Sequence, residues 1–255
     1  MVRIVLSGCN GKMGQVITRL CEAAEDVTIV AGVDINTRQM STYPVLASAA
    51  EFTGEADVII DFSHPSSLSP LLEMAVARQI PAVICTTGLS AEQKQQLRET
   101  SQKVGIFFSA NMSLGINVLI DLLKRAAVVL QDNYDIEIVE RHHNQKIDAP
   151  SGTALALADA ISQVLRYEPE YVYDRHSVRK KREKQEIGLH AVRGGNIVGD
   201  HEVIFAGTNE VIELRHSAAS REVFAEGAVK AACFMAGKPA GLYDMADLVA
   251  SYQQN

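Results

Sequence analysis

One short stretch of the chain concentrates side chains that can move protons and hold anions. Residues 140–154 read ERHHNQKIDAPSGTA. Histidine titrates near neutral pH, so His142 can donate a proton to a substrate. Lys146 provides a fixed positive charge, or a proton if its pKa is lowered. This combination is typical of a site at which an anionic substrate gains a proton.

The end of the same stretch is suited to binding a carboxylate. Ser151, Gly152 and Thr153 stand at the start of a predicted helix, where hydroxyl and N–H groups and the helix dipole attract anions. The alternative is a polar surface loop that ends in an ordinary helix cap. A metal site at His142 and His143 is a weaker interpretation, because neighbouring residues on a strand point to opposite faces and no HxxxH spacing is present. We therefore predict no metal.

A second candidate site is a glycine-rich turn near the N-terminus. Gly8, Gly11 and Gly14 follow a predicted strand and open a predicted helix. Glycines at such a turn let the backbone approach a pyrophosphate, which the helix N-terminus then attracts. Asn10 stands where the usual fingerprint has its second glycine, so a ligand-free glycine turn is the alternative.

Asp34 strengthens the dinucleotide interpretation. It ends the second predicted strand, where a carboxylate accepts a hydrogen bond from a ribose 2′-hydroxyl and repels a 2′-phosphate. Arg38 is close enough in sequence to be an alternative phosphate partner. We therefore predict NADH and/or NADPH as cofactor, with NADH favoured.

Small and polar residues follow three further predicted strands, at 61–65, 85–88 and 109–112. In a doubly wound sheet, ligands bind at the carboxyl ends of the strands. These stretches therefore predict the rest of a nicotinamide cleft, with plain loop turns or helix caps as the alternative.

The elements that position these residues differ between the halves of the chain. In the first half, apolar strands at 2–6, 27–34, 57–62, 81–85 and 105–109 alternate with helices at 12–24, after Pro65 and after Ser90. Such alternation predicts an α/β fold with a Rossmann-type, doubly wound parallel sheet.

The second half indicates an α+β domain. A helix at 114–130 precedes a strand at 134–140, in which Asp135, Glu137 and Glu140 form a solvent-facing side. A helix at 153–165, short strands at 189–193, 203–206 and 211–215, and a helix at 222–235 follow. We expect an open mixed, largely antiparallel sheet. The basic run at 175–185 is interpreted as an exposed loop that could steer a dianionic substrate. His190, His201 and His216 are interpreted as ordinary sheet histidines, and 193–196 as a hairpin turn.

Composition narrows the class of protein. The 255 residues include 24 Lys and Arg against 31 Asp and Glu, a net charge of −7, which disfavours nucleic acid as a partner. No signal peptide and no membrane span are predicted. The four cysteines have no CxxC spacing, so we expect reduced thiols and a cytoplasmic location.

The stretch ERHHNQKIDAPSGTA resembles the signature of the 4-hydroxy-tetrahydrodipicolinate reductase (dihydrodipicolinate reductase) family of bacterial lysine and diaminopimelate biosynthesis. Every fixed position of the family pattern E-x-H-H-x-x-K-x-D-A-P-S-G-T-A is met. Further matches run along the chain, at VIIDFSHP, TTG, ANMSLGINV, GLHAVRGGNIVGDHEVIF, HSAASREVFAEGAVKAA and GLYDMADL.

The resemblance implies reduction of 4-hydroxy-tetrahydrodipicolinate to tetrahydrodipicolinate with NAD(P)H and loss of water. It implies a dinucleotide-binding domain of residues 1–112 and 223–255, and a substrate-binding and oligomerisation domain of residues 113–222. A homotetramer is expected, with a dimer left open. Hydride comes from the nicotinamide and the proton from His142 or Lys146, and the sequence leaves open which of the two delivers it.

The resemblance also implies the binding residues. Those expected to bind the substrate dicarboxylate are His143, Lys146, Ser151, Gly152 and Thr153. Those expected to line the cofactor are Gly8, Cys9, Asn10, Gly11, Lys12, Met13, Asp34, Cys85, Thr86, Thr87, Ser109, Ala110, Asn111 and Met112.

The chain departs from the family pattern at four positions. Cys85 replaces the first residue of a Gly-Thr-Thr, and Met112 replaces a Phe. Ile35 and His64 stand where the family often has Arg, which affects cofactor preference and not the reaction. The sequence leaves three alternatives. The first is a different nicotinamide-dependent oxidoreductase, such as an amino-acid dehydrogenase. The others are an NADH-sensing binding protein and a scaffold without catalysis.

Overall fold

The computed structural model describes residues 1–253, and the chain divides into two compact units. The first unit comprises Met1–Leu114 and the chain from Glu222 onward, and the second comprises Gly115–Arg221. Residues 254 and 255, which the predicted dinucleotide-binding domain includes, lie outside the described part. Within residues 1–253, no helix is long and apolar enough to cross a bilayer.

The N-terminal part of the first unit alternates strands and helices as predicted. Its elements are β1 (Val2–Ser7), α1 (Lys12–Glu22), β2 (Val27–Val33), β3 (Val45–Leu46), β4 (Val58–Asp61), α2 (Leu68–Arg78), β5 (Ala82–Ile84), α3 (Ala91–Ser101) and β6 (Gly105–Phe108). The predicted capping box of α3 is present, with the Ser90 side chain accepting from Gln93 N and the Gln93 side chain accepting from Ser90 N.

The remaining elements belong to the second unit and to the C-terminal part of the first unit. The second unit begins one residue into α4 (Leu114–Leu130) and contains β7 (Asp135–His142), α5 (Gly152–Ser162), β8 (Glu170–Val172), β9 (Glu186–Arg193), β10 (Gly199–Ala206) and β11 (Val211–Ala218). The first unit then ends with α6 (Glu222–Met235), β12 (Gly241–Tyr243) and α7 (Met245–Gln253). The pattern did not predict β3, β8 and β12, because a strand of two or three residues is too short to show a period.

The sheet of the first unit has seven strands in the order β3-β2-β1-β4-β5-β6-β12, and every pairing is parallel. Alternation along β1 sends Ile4 and Leu6 into the core that includes α1 and α6, and Val5 into the core that includes α2. Both faces of the sheet are therefore covered, which confirms the doubly wound Rossmann-type prediction. The strand order reverses between β1 and β4, the point at which such sheets bind ligands.

The sheet of the second unit has five strands in the order β11-β10-β7-β9-β8. The pairs β11–β10 and β10–β7 are antiparallel, and β7–β9 and β9–β8 are parallel. The prediction of a mixed sheet is confirmed, but the sheet is not largely antiparallel. The physical reason is that α5 follows β7 and returns the chain to the same end of the sheet. As a result, β8 and β9 run parallel to β7. Ile136, Ile138, Val203 and Phe205 pack with residues of α4 and α5 on one face.

The basic run at 175–185 is exposed but is not a free cationic loop. Arg175 and Arg182 both bind the Glu137 carboxylate, at 2.7 and 3.0 Å, and Arg175 also pairs with Glu186. Lys180 lies 3.2 Å from Glu186. These cations hold the loop on the sheet, so their charges are already matched and do not favour a steering role.

Candidate active site

Strand β7 carries a glutamate and a histidine on its buried face. Its burial alternates strictly, which places Ile136, Ile138, Glu140 and His142 on the side of the core. The sequence pattern assigns Glu140 to the wet face, and that prediction is wrong, since Glu140 is 0% exposed. A carboxylate is rarely buried without partners, so its neighbours indicate what it does.

The Glu140 carboxylate is fully occupied by hydrogen-bond donors. Arg193 donates from Nη1 to Oε2 at 2.8 Å and from Nη2 to Oε1 at 2.7 Å. Oε1 also accepts from Ser151 N at 3.0 Å, and Oε2 lies 2.6 Å from His142 Nδ1. Burial raises the pKa of Glu140, but the hydrogen bonds from Arg193, His142 and Ser151 outweigh it and hold the pKa below its ordinary value. Glu140 is therefore a buried anion.

This contact sets the tautomer of His142. A carboxylate only accepts hydrogen bonds, so the proton between the two groups is on Nδ1. Nε2 is then the ring nitrogen that can exchange a proton with a substrate. A Cβ atom built on Gly199 would stand 3.0 Å from that Nε2, so glycine at this position keeps the surroundings of Nε2 clear.

A second histidine, His201, belongs to this cluster. Its ring lies edge-on to that of His142, with centroids 5.1 Å apart, and its Nε2 is 3.1 Å from Ser151 Oγ. Burial lowers the pKa of His201 to about 4, and the neighbouring His142 adds to this effect. His201 is consequently neutral at pH 7 and does not oppose a positive charge on His142. Its interpretation as an exposed or hydrogen-bonded sheet histidine agrees with the Ser151 contact, but gave no sign that His201 lies beside His142.

Ser151 joins β7 to the start of α5. Its hydroxyl caps the helix by accepting from Ala154 N at 3.2 Å, while its N–H donates to Glu140. These contacts fix where the first turn of α5, with Gly152 and Thr153, stands relative to His142.

The remaining predicted substrate residues lie in the loop between β7 and α5. Lys146 Nζ is 2.8 Å from Asp148 Oδ1. Arg221 donates from Nη2 to Nε2 of His143 at 3.2 Å. Arg193, which the sequence assigns to a hairpin turn, instead ends β9 and also donates to the Asp148 carbonyl at 2.6 Å. The second unit thus gathers several cationic and proton-carrying groups around one loop.

In the first unit, the glycine-rich turn has no room for a side chain at two of its glycines. A Cβ atom on Gly8 would lie 2.5 Å from the Phe62 carbonyl oxygen, and one on Gly14 would lie 2.2 Å from the Gly8 carbonyl oxygen. Gly8 also has a positive φ of 78°, which favours glycine. The turn therefore packs against the loop after β4 and leads directly into α1.

A cavity of about 330 Å³ opens at this turn, at the carboxyl ends of β1, β2 and β4. Gly8, Gly11 and Asp34 line it, together with Ser63 and His64. The Asp34 carboxylate accepts from Asn10 N and Asn36 N, each at 2.9 Å. The Ile35 side chain beside it is 96% exposed. Glycine backbone, a helix N-terminus and a carboxylate on one cavity fit the pyrophosphate and ribose of a dinucleotide.

The predicted cofactor residues that follow β5 and β6 lie farther along the same sheet edge and do not line this cavity. Within the glycine-rich turn, Cys9, Asn10, Lys12 and Met13 do not line it either. Thr86 donates to Asp61 Oδ2 at 2.6 Å, and Ser63 Oγ donates to Asp61 Oδ1 at 2.5 Å, which ties the ends of β4 and β5 together. The remaining members of this set are Cys85, Thr87, Ser109, Ala110, Asn111 and Met112, which follow β5 and β6.

Three predicted cofactor residues direct their side chains into the core. Cys9, Cys85 and Met112 are all buried, at 1, 8 and 4% exposure. Burial raises the pKa of the Cys9 thiol to about 11 and that of Cys85 well above its ordinary value. At these positions the side chain is not available to a ligand. Lys12 and Thr87 are exposed, and Met13 is half-buried.

Family models cover almost the whole chain. Residues 2–112 match the model described as "Dihydrodipicolinate reductase, N-terminus", and residues 115–249 match "Dihydrodipicolinate reductase, C-terminus". The chain is 56% identical over 249 residues to the 4-hydroxy-tetrahydrodipicolinate reductase of Caldanaerobacter subterraneus, covering 98% of each chain. It is 53% identical to that of Clostridium tetani, covering 96% of each.

A solved structure of a dihydrodipicolinate reductase is also similar to this chain. The dipicolinate-bound dihydrodipicolinate reductase of Paenisporosarcina sp. TG-14 matches with a TM-score of 0.80 and 25% identity, over 96% of this chain and 97% of that one. An aspartate dehydrogenase of Thermotoga maritima matches with a TM-score of 0.51 and 10% identity, over 93% of this chain and 98% of that one, a likeness of fold alone.

Proposed function

The chain belongs to the dihydrodipicolinate reductase family and reduces 4-hydroxy-tetrahydrodipicolinate with NAD(P)H in lysine and diaminopimelate biosynthesis, and we propose that His142 and Lys146 complete this reaction. The observation that carries this assignment is the 2.6 Å contact between Glu140 and His142. It leaves Nε2 of His142 as the exchangeable position, in the unit that also holds Lys146 and the start of α5.

The nicotinamide, when bound, supplies the hydride. The chain's own residues then have two tasks, which are to hold a dicarboxylate and to deliver a proton to the carbon beside the reduced one. His142 delivers it from Nε2, and anionic Glu140 stabilises the positive charge that the ring carries beforehand. Lys146 offsets the negative charge of the substrate as electrons arrive, and is the second candidate donor.

We assign the substrate carboxylates to the loop between β7 and α5 and to the first turn of α5. His143 and Lys146 provide side-chain donors, and Gly152 and Thr153 provide backbone N–H groups at the positive end of the helix dipole. Ser151 completes this set and acts by capping α5, since its own N–H and hydroxyl already have partners.

We further propose that the first unit is the cofactor domain and that it favours NADH. Asp34 faces the cavity beside Gly8 and Gly11, where its negative charge suits a ribose 2′-hydroxyl and repels a 2′-phosphate. The neighbouring exposed Ile35 provides no cation to offset that repulsion. NADPH remains usable because Arg38 is nearby in the chain.

The proposed assembly is a homotetramer that forms through the outer face of the five-stranded sheet. Apolar side chains on the outer part of that sheet support this, since Val192 is 44% and Val211 57% exposed. The described cysteines are all unpaired thiols, which fits the cytoplasm as the compartment. Sedimentation of the purified protein tests the tetramer against a dimer.

The test is a coupled assay in which the upstream synthase, pyruvate and aspartate semialdehyde generate the substrate and the loss of NADH absorbance is followed. We expect His142→Ala and Lys146→Ala each to lower turnover by about 10²-fold or more, the usual contribution of general acid catalysis. NADH binding should not change. Exposed His176→Ala and Lys181→Ala are matched controls. Turnover near that of the wild type in both active-site variants would contradict the assignment.

A further inference from the structure

We propose that Asp148 is a built-in competitor of the substrate, because its carboxylate occupies the donors that a substrate carboxylate needs. This inference rests on the proposed function, in which Lys146 and the start of α5 hold the substrate. It adds a residue that governs substrate affinity and has no place in proton transfer.

Asp148 contacts a group that is proposed to bind a substrate carboxylate. Its Oδ1 lies 2.8 Å from Lys146 Nζ, the cation that the reaction uses. The backbone N–H of Gly152, at the first position of α5, contributes to the lowered pKa of this carboxylate. One lysine and one helix N-terminus are the donor set that a substrate carboxylate would use. A substrate carboxylate at these donors would lie next to the Asp148 carboxylate, and the two negative charges would repel each other.

The charge state supports competition. The pKa of Asp148 is lowered, first by the hydrogen bond from Lys146 and then also by its own backbone N–H and that of Gly152. At neutral pH the residue is therefore an anion and not a neutral hydrogen-bonding group. This negative charge lies 2.8 Å from Lys146, where it repels a dianionic substrate.

The side chain of Asp148 can leave without moving the loop. It is 57% exposed, so solvent can receive the carboxylate, whereas Lys146 is only 21% exposed. The backbone at this residue is held separately, because Arg193 donates to the Asp148 carbonyl at 2.6 Å. Rotation of one side chain thus exchanges an internal carboxylate for an external one.

Glu140, whose carboxylate also contacts Arg193, cannot act as a competitor of the substrate. It is 0% exposed and is held by Arg193, His142 and the Ser151 N–H together. Breaking its contacts would leave a buried charge without partners, whereas Asp148 loses one exposed ion pair. The structure therefore assigns a fixed role to Glu140 and an exchangeable one to Asp148.

The experiment compares Asp148→Asn with the wild type in the coupled assay. We expect the KM for the substrate to fall about two- to fivefold, the factor that corresponds to an exposed ion pair. The inhibition constant of dipicolinate, used as a non-reacting dicarboxylate probe, should fall by the same factor, with kcat changing less. Asp148→Ser is the second variant and should shift both constants in the same direction.

Asp132→Asn is the matched control. It makes the same change in charge, and Asp132 also forms an exposed ion pair, with Arg166 at 2.7 Å. Asp132 precedes β7, whereas Asp148 follows it, so the two changes lie at opposite ends of the strand. We expect no change in KM or in dipicolinate inhibition for this control.

An unchanged KM in both Asp148 variants would show that substrate and Asp148 use different donors, and would overturn the proposal. A raised KM would show that Asp148 positions Lys146, and would overturn it as well. Lys146→Ala separates these results from failure of the proposed function. If that variant loses turnover, only the competition is wrong, whereas if it keeps turnover, the assignment of Lys146 itself is wrong.

Discussion

Oε2 of Glu140 lies 2.6 Å from Nδ1 of His142 on the buried face of β7. The same carboxylate is held by two hydrogen bonds from Arg193, which comes from β9. A histidine on a strand end is thereby given one tautomer and one orientation by groups from two strands.

Glu140→Gln should lower kcat about 10- to 100-fold, a part of what general acid catalysis usually contributes. An amide has the same size but no charge to stabilise protonated His142. NADH binding should stay intact, because the change is confined to the second unit. Glu202→Gln is the control, since Glu202 pairs with Arg141 at 2.8 Å on the other face of the same sheet. Equal effects of both substitutions would contradict the role given to Glu140.

The same substitution should also destabilise the protein. Removing one partner of a buried ion pair costs about 3 kcal/mol or more, because Arg193 is left without its anion. The measurement is the free energy of unfolding in urea. A smaller loss of unfolding free energy is expected for Glu202→Gln, because the side chains of Arg141 and Glu202 are 30 and 14% exposed. A loss no larger for Glu140→Gln would show that the buried pair contributes little.

Gly199→Ala should lower kcat about five- to tenfold, because small displacements of a catalytic group reduce turnover steeply. The added methyl group would stand 3.0 Å from His142 Nε2 and force the ring to move. Gly194→Ala is the control, since a Cβ there would meet nothing within 4 Å. Steady-state kinetics with substrate and with NADH separate the two variants. Unchanged turnover in Gly199→Ala would mean that Nε2 is not the reacting position.

Asp34→Asn with Ile35→Arg should shift the ratio of kcat/KM for NADH over NADPH by about tenfold or more towards NADPH, a change of about 1.4 kcal/mol in relative binding. The pair removes the carboxylate that repels a 2′-phosphate and adds a cation that attracts it. The synthase-coupled assay, run with each nucleotide, gives the ratio. An unchanged ratio would place the ribose of the cofactor away from Asp34.

Stability should fall in acid partly through Glu186. The hydrogen bond from Arg175 is the main cause that lowers its pKa from 4.5 to about 2 in the folded protein. Since the folded pKa lies below the unfolded one, this contribution is complete above pH 4.5 and is lost as the pH falls towards 2. Glu186→Gln should therefore have a lower Tm at pH 7 and a flatter dependence of Tm on pH. Parallel Tm curves for the two proteins would contradict this.

Periodicity predicted the order of elements well where the elements are long. The helix at 114–130 and that at 222–235 have the observed bounds, and the five principal strands of the first unit lie where the apolar runs are. The prediction failed at Glu140 because it placed every acidic residue of the strand on the wet face. Strict alternation instead puts Glu140 on the side of Ile138 and opposite to Glu137, as observed.

The sequence by itself determined the chemistry that is available, since the spacing of histidine, lysine and the Ser-Gly-Thr turn is a local property of one segment. Only the tertiary structure decided how that chemistry is organised. Arg193 is 53 residues from Glu140, and His201 is 50 residues from Ser151. They meet because of the register of β7 with β9 and β10, which depends on packing across the whole sheet and leaves no mark in the local pattern.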